Sequence, residues 1–283
     1  MNTDELAFFT TPGPMTRLEA ETGLPGDAAG LCAISRGLIV HEFLADQYGV
    51  QDVDARREEV ENRSAAEMAA RIRRLDPRGL AEPRPPALRM IGNCRHFSVL
   101  TVALLRRAGI PARARAGFAG YFGEGWVDHW IVERWDADTH RWKRTDAQLD
   151  ERQTELFKIG FDPYDLPEGA FLTGGEAWLR CRSGLEDPER FGVGEMRGAW
   201  FVAGNVVRDL AALNKVELLP WDVWGMIDTP VDAGDPRAAL VDEIAEAVTS
   251  GDLARCRRLY ERDEVRVGRT VRSHRYQRDV HLV

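Results

Sequence analysis

Between Met90 and Asp150 one of the chain's four cysteines stands where a reactive thiol is needed. The stretch MIGNCRHFSVLTVALLRRAGIPARARAGF places Cys94 just ahead of a run whose apolar positions (Phe97, Val99, Leu100, Val102, Ala103, Leu104, Leu105) cover most of a helix's circumference. Gly92 and Asn93 precede that run, and Gly109 and Pro111 end it. This pattern predicts a buried helix with a cysteine in its first turn. The N-terminal end of a helix carries unsatisfied N–H groups and a partial positive charge, which favour an anion there and so suit a nucleophilic sulfur.

A thiol nucleophile needs a base, and the base needs an orienting group. Ala112 to Phe118, Val127 to Trp135 and Arg141 to Leu149 read as strands, with the polar Asp136–Thr139 as a hairpin loop between the last two. Closing that loop symmetrically pairs Trp135 with His140 and sets His129 opposite Asp146. Directly opposed side chains on one face have Cβ atoms about 4.5 to 5.5 Å apart, a spacing that suits an imidazole–carboxylate hydrogen bond. The assignment depends on register, since a slip of one residue turns the two side chains to opposite faces. Asp128 ranks second as orienter because it points away from His129 in an extended strand. His96 ranks second as base, because residues two apart on a helix point about 200° from one another. Asn93 reads as the helix N-cap, with a secondary role as an amide donor to an oxyanion hole built around the Cys94 N–H.

GNCRHFS followed by a helix and GIPAR, then DHWIVERW, then a strand ending in TDAQLD, resembles the catalytic core of the transglutaminase-like superfamily, a branch of the papain-like Cys-His-Asp fold. Carried over position by position, the resemblance implies that Cys94 is the nucleophile, His129 the general base and acid, and Asp146 its orienter. It implies an α+β fold in which the nucleophile-bearing helix packs on an antiparallel sheet, with additional N- and C-terminal helices. It also implies cysteine-dependent acyl transfer on an amide or thioester through an acyl-enzyme. The alternatives are a cysteine peptidase of the same fold and a binding module that has lost catalysis. No cofactor or metal is called for. The expected partner is an amide- or thioester-bearing substrate: a small molecule, a carrier-tethered acyl group or a peptide.

The 283 residues carry a net charge of −8, which argues against general nucleic-acid binding. The N-terminal MNTDELAFFTTPGP is acidic where a secretory signal is basic, and no apolar run approaches membrane-spanning length. Four scattered cysteines suggest neither a disulfide framework nor a zinc site, so the expected compartment is a reducing cytoplasm. Cys32 and Cys256 read as core residues, and Cys181 lies among arginines with no evident base.

Around this core the elements fall in order. Residues 1–26 read as an irregular leader, Asp27 caps a helix running to about Gln47, and Ser64 with Glu67 forms a capping box for a second helix. Pro77–Pro86 is a linker, and Asp150–Gly175 is rich in turns. A helix is expected over Glu176–Ser183. The apolar block Ala199–Met226, with its embedded Asn205 and Asp209, reads either as buried hydrogen-bonded support or as one wall of a cleft. Asp235-Pro236 starts a helix ended by Gly251, and Asp252 caps the next. Residues 1–230 are assigned to a catalytic domain and 231–283 to a helical extension.

Overall fold

A computed structural model describes residues 3–282. It has the α+β composition expected, and its chain divides into two compact units: residues 1–114 with 131–167, and residues 115–130 with 168–283. Residues 231–283 therefore share a unit with 168–230. The first unit opens with a helix, α1 (Thr3–Thr10), where an irregular leader was expected. Its Phe9 is fully buried, and the guanidinium of Arg113 lies over the rings of Phe9 and Trp142, 5.2 and 4.3 Å from their centroids. Burial of one large side chain and a cation–π sandwich hold α1 down, neither of which shows in local periodicity.

The second helix, α2 (Ala28–Leu38), starts on Asp27 as expected, the carboxylate accepting from Gly30 N–H at 2.8 Å. It stops nine residues short of Gln47, because β-branched Ile39 and Val40 enter a strand, β1 (Ile39–His41). Residues 42–48 then form a 3₁₀ helix closed by Gly49 in the left-handed conformation. The capping box of α3 (Ala65–Leu75) forms, with Glu67 N–H donating to Ser64 Oγ and Ser64 N–H to Glu67 Oε2. After the proline-rich segment, β2 (Met90–Gly92) pairs in parallel with β1 and leads directly into α4 (Cys94–Arg107).

The first unit also holds the hairpin. Its strands are the start of β3 (Ala112–Ala119), the end of β4 (Trp126–Asp136) and β5 (Arg141–Thr145), followed by α5 (Glu151–Leu156). Trp135 pairs with Trp142 and Asp136 with Arg141, so the register differs by two residues from the expected Trp135–His140 closure. The cause is the turn. Asp136 Oδ1 accepts from the Thr139 N–H at 2.8 Å, and His140 takes a left-handed φ of 50°, moving the loop to residues 137–140. A shift of two leaves each side chain on its expected face.

In the second unit the strand order is β6-β3-β4-β7-β8, with β6 (Phe171–Thr173), β7 (Phe191–Val193) and β8 (Met196–Arg197). β6 is antiparallel to β3, whereas β7 runs parallel to β4, so the sheet is mixed rather than antiparallel throughout. Four helices build the rest: α6 (Gly174–Arg182), α7 (Ala199–Leu213), α8 (Ala238–Ser250) and α9 (Leu253–Tyr260). Helix α6 begins at Gly174 because Thr173 forms a capping box with Glu176. A Cβ at Gly174 would lie 2.6 Å from the Asn205 carbonyl, so glycine permits the close approach of α6 to α7. Helix α8 starts at Ala238 rather than at Pro236, because Asp235 turns its carboxylate to the Arg237 backbone and guanidinium. Gly251 and Asp252 end α8 and cap α9 as expected. The basic tail, which sequence left unassigned, forms β10 (Thr270–Ser273) and β11 (Arg278–His281), joined to β9 (Asp222–Val223) in a small antiparallel sheet. Among the described residues no helix is long and apolar enough to cross a membrane.

Candidate active site

Cys94 is the first residue of α4, buried, with Asn93 as the N-cap. Asn93 Oδ1 accepts from the Arg95 N–H at 3.1 Å, so the expected capping role is made. His96 completes the cap, its Nδ1 lying 3.1 Å from the donating Asn93 N–H. That ring is fully buried, and burial, with Arg95 and His41 nearby, holds its pKa well below the ordinary histidine range. His96 is thus neutral at pH 7 and committed to the helix end. Gly92 makes the tight entry possible, for a Cβ there would lie 2.8 Å from Ile39 Cγ2 and 3.1 Å from His96 Cβ.

The strand that delivers Cys94 is anchored by a residue the sequence did not single out. Glu59, in the 3₁₀ helix Asp54–Glu61, accepts the Ile91 N–H at 2.7 Å, Arg56 Nε at 2.8 Å, and Arg71. Burial pushes the Glu59 carboxyl upward, but the hydrogen bonds from Arg56, Arg71 and Ile91 outweigh it and lower its pKa below 4.5. Glu59→Gln is expected to cost about 2 kcal/mol near neutrality, the scale of hydrogen bonds to a charged group. Because the folded-state value is depressed, this advantage of the carboxylate is complete above the unfolded value of about 4.5 and fades as pH falls through the folded one. Urea titrations of both proteins at pH 7 and pH 3 check this; an equal gap at the two pH values would contradict it.

Asp146 is also in the first unit, fully buried, one residue past the end of β5 and so beyond the last ladder pair, Val132–Thr145. The expected pairing of His129 with Asp146 within the ladder is therefore not made. The strand ends there because its hydrogen bonds pass to another segment. Leu166 N–H donates to Arg144 O at 2.9 Å, Thr145 Oγ1 to Tyr164 O at 2.9 Å, and Asp146 N–H to Pro163 O at 2.8 Å. Asp146 Oδ1 accepts the Gln148 N–H at 3.0 Å. Gln148 bonds onward to Gln153, Gln153 to the Tyr48 hydroxyl, and that hydroxyl to Asp150, in steps of 2.9, 2.9 and 2.7 Å. This partly buried chain fixes the turn carrying Asp146.

His129 belongs to the second unit. It is buried on β4, and its ring lies edge-to-face with those of Phe122 and Tyr121 at centroid distances of 4.9 and 6.2 Å. Its neighbour Asp128 accepts from Asn205 Nδ2 at 3.0 Å and is thereby engaged with α7. Burial raises the Asp128 carboxyl above its ordinary range, with Arg208 and the Asn205 hydrogen bond opposing.

The other thiols differ in setting. Burial pushes Cys32 up to about 12, and burial with Glu186 and Asp187 pushes Cys181 up to about 11. Cys256 is buried on α9. Among the described residues no group of three or more His, Cys, Asp or Glu side chains is arranged to hold a metal ion.

Residues 50–147, a stretch that includes Cys94, His129 and Asp146, match the family model described as the transglutaminase-like superfamily. No curated protein matches the chain. Among solved structures, a proposed cysteine protease of Cytophaga hutchinsonii is similar at 16 % identity over 52 % of this chain and 43 % of that one, with a TM-score of 0.31. The match thus spans less than half of that protein's length, and so loose a likeness adds nothing to the reading of the site.

Proposed function

We propose that this chain, whose residues 50–147 match the transglutaminase-like superfamily, is a cysteine-based enzyme that transfers acyl groups from an amide or thioester. The observation that supports the reading most is the setting of Cys94: first residue of a buried helix, behind an asparagine cap, on a strand anchored by Glu59. In this reading Cys94 gives its thiol proton to His129, its Sγ attacks the acyl carbonyl, and the C–N or C–S bond breaks. The leaving amine or thiol takes its proton from His129. Water or an amine then adds to the acyl-enzyme, gives its proton to His129, and the sulfur is released. Asp146 keeps the imidazole in the tautomer this exchange needs. The Cys94 N–H and Asn93 Nδ2 are the donors for the oxyanion, since the cap occupies Asn93 Oδ1 and leaves the amide nitrogen for that task. The expected substrate is an amide- or thioester-bearing small molecule, carrier-tethered acyl group or peptide, met in the cytoplasm.

Intact mass after incubation with p-nitrophenyl acetate tests this reading. One acetyl group is expected, mapped to the peptide bearing Cys94 and lost slowly to water or faster to an added amine. Cys181, with its thiol pushed up to about 11, remains unmodified near neutrality. Acetylation of Cys181 with Cys94 untouched would overturn the assignment.

A further inference from the structure

We infer that Phe122, supported by Tyr121, is a positioning residue for His129: its ring fixes the rotation of the imidazole. Residues 115–130 all belong to the second unit, so the three rings stand on one body. The ring of Phe122 lies 4.9 Å from that of His129 at an angle of 72°, and the ring of Tyr121 lies 6.2 Å from it at 82°. Both are thus close to perpendicular to the imidazole, and they pack on each other at 4.6 Å. The two aromatics are half-buried on the connection 120–125 between β3 and β4. That connection is seated at both ends. The Gly120 N–H donates to the Ala170 carbonyl at 2.9 Å, and a Cβ on Gly120 would lie 3.0 Å from the Trp126 ring, which stacks on Phe191 at 5.7 Å. Gly125 has a φ of +81°, and a Cβ there would lie 2.8 Å from the Arg190 carbonyl oxygen, so glycine alone suits that position.

The χ2 torsion of histidine is broad and roughly two-fold, so the side chain itself has no steep preference for where its ring nitrogens point. A hydrogen bond to one nitrogen selects a tautomer, yet leaves the ring able to rock about that bond. Near-perpendicular aromatic contacts oppose the rocking, because turning the imidazole gives up an edge-to-face arrangement worth up to about tenfold in population. Phe122 has no proton to give and no polar side-chain atom, so its part is geometric. Neither aromatic belongs to a helix, a strand or the fully buried core, so replacing one is expected to leave the unit folded. The kinetic consequence rests on the proposed role of His129 as the base; the ring contact does not.

The test is NMR of the full chain carrying ring-labelled histidine, with the His129 signal assigned by its loss in His129→Gln. The order parameter of the His129 Cε1–H bond is expected to be that of a rigid group in the unaltered protein, to fall by about a third in Phe122→Leu, and to be restored in Phe122→Tyr, which returns a ring. Unmoved signals from the other histidines certify the fold. In parallel, the acetyl-enzyme formed with p-nitrophenyl acetate is expected to lose its acetyl group to water about tenfold more slowly in Phe122→Leu. Most of that rate is regained in Phe122→Tyr, and the half-saturating ester concentration is the same in all three proteins. A His129 ring as rigid in Phe122→Leu as in the unaltered protein, or one that Phe122→Tyr fails to restore, overturns the inference. A ring that loosens and is fixed again while acetyl loss stays constant supports the contact and removes His129 from the role of base.

Discussion

Cys94→Ala and His129→Ala are each expected to lower turnover of the acylating substrate by roughly four to six orders of magnitude, and the double variant by no more than either alone. In the proposed reading nucleophile and base act as one unit: without the base the thiol is not activated, and without the thiol the base has nothing to activate. Their losses therefore do not add. Asp146→Asn is expected to cost about 10⁴-fold, because an amide in place of the carboxylate favours the wrong imidazole tautomer. The measurement is single-turnover acylation, with circular dichroism certifying the fold of each variant. It asks a functional question of residues carried by different units, Cys94 and Asp146 in the first and His129 in the second. Additive losses for Cys94 and His129, or a full loss in Asp128→Asn with Asp146→Asn unimpaired, would replace the proposed triad with another constellation.

What the sequence made legible was local. Asn93 ahead of an apolar run marked the start of α4, Ser64 with Glu67 marked α3, and the glycine–aspartate pair at 251–252 marked the α8–α9 junction; in each the signal and the structure it specifies lie within a few residues. Long-range pairing was not legible. Ile39 and Val40 sit at helical spacing after α2, and only β2, some fifty residues on, makes them a strand. Glu59 reads as one charge in a charged run, but the backbone N–H of Ile91 needs an acceptor and the surrounding arginines neutralise it. The hairpin register failed for a subtler reason. Its loop length was right at four residues, but the left-handed turn at His140 displaced it by one position. That displacement, with the hand-over of β5 to residues 163–166, puts Asp146 past the ladder while keeping it buried.

The polar residues of the Ala199–Met226 block read as either supports or cleft walls, and Asp209 on α7 is a support. Asp209 accepts from Arg115 and Ala116, whereas Asn205, one turn earlier, donates to Asp128 and, among the described residues, has no partner at Oδ1. Helical spacing cannot separate the two, because residues four apart on one face carry the same pattern signal. What separates them is saturation: Asp209 receives the Arg115 fork and a backbone N–H, and among the described residues nothing donates to Asn205 Oδ1.

Asp209→Ala is expected to be the most destabilising single change in the second unit outside its apolar core. Asp209 is fully buried and accepts Arg115 Nε at 2.9 Å, Arg115 Nη2 at 2.7 Å and the Ala116 N–H at 3.1 Å. Arg115 spends its remaining reach on the Val248 carbonyl of α8 at 3.1 Å, so one ion pair ties β3 to α7 and α8. Removing the carboxylate strands a buried guanidinium and a strand N–H together, a loss of about 3–5 kcal/mol. For a chain of this size that corresponds to roughly 10 °C in the unfolding midpoint. Replacing both partners, Arg115→Met with Asp209→Leu, is expected to recover much of the loss, since most of the penalty belongs to the orphaned charge rather than to the pair itself. Thermal unfolding of the three proteins and hydrogen exchange at the Ala116 amide measure this directly. If Asp209→Ala leaves that amide as protected as in the unaltered protein, the ion pair does not hold β3 to its helices.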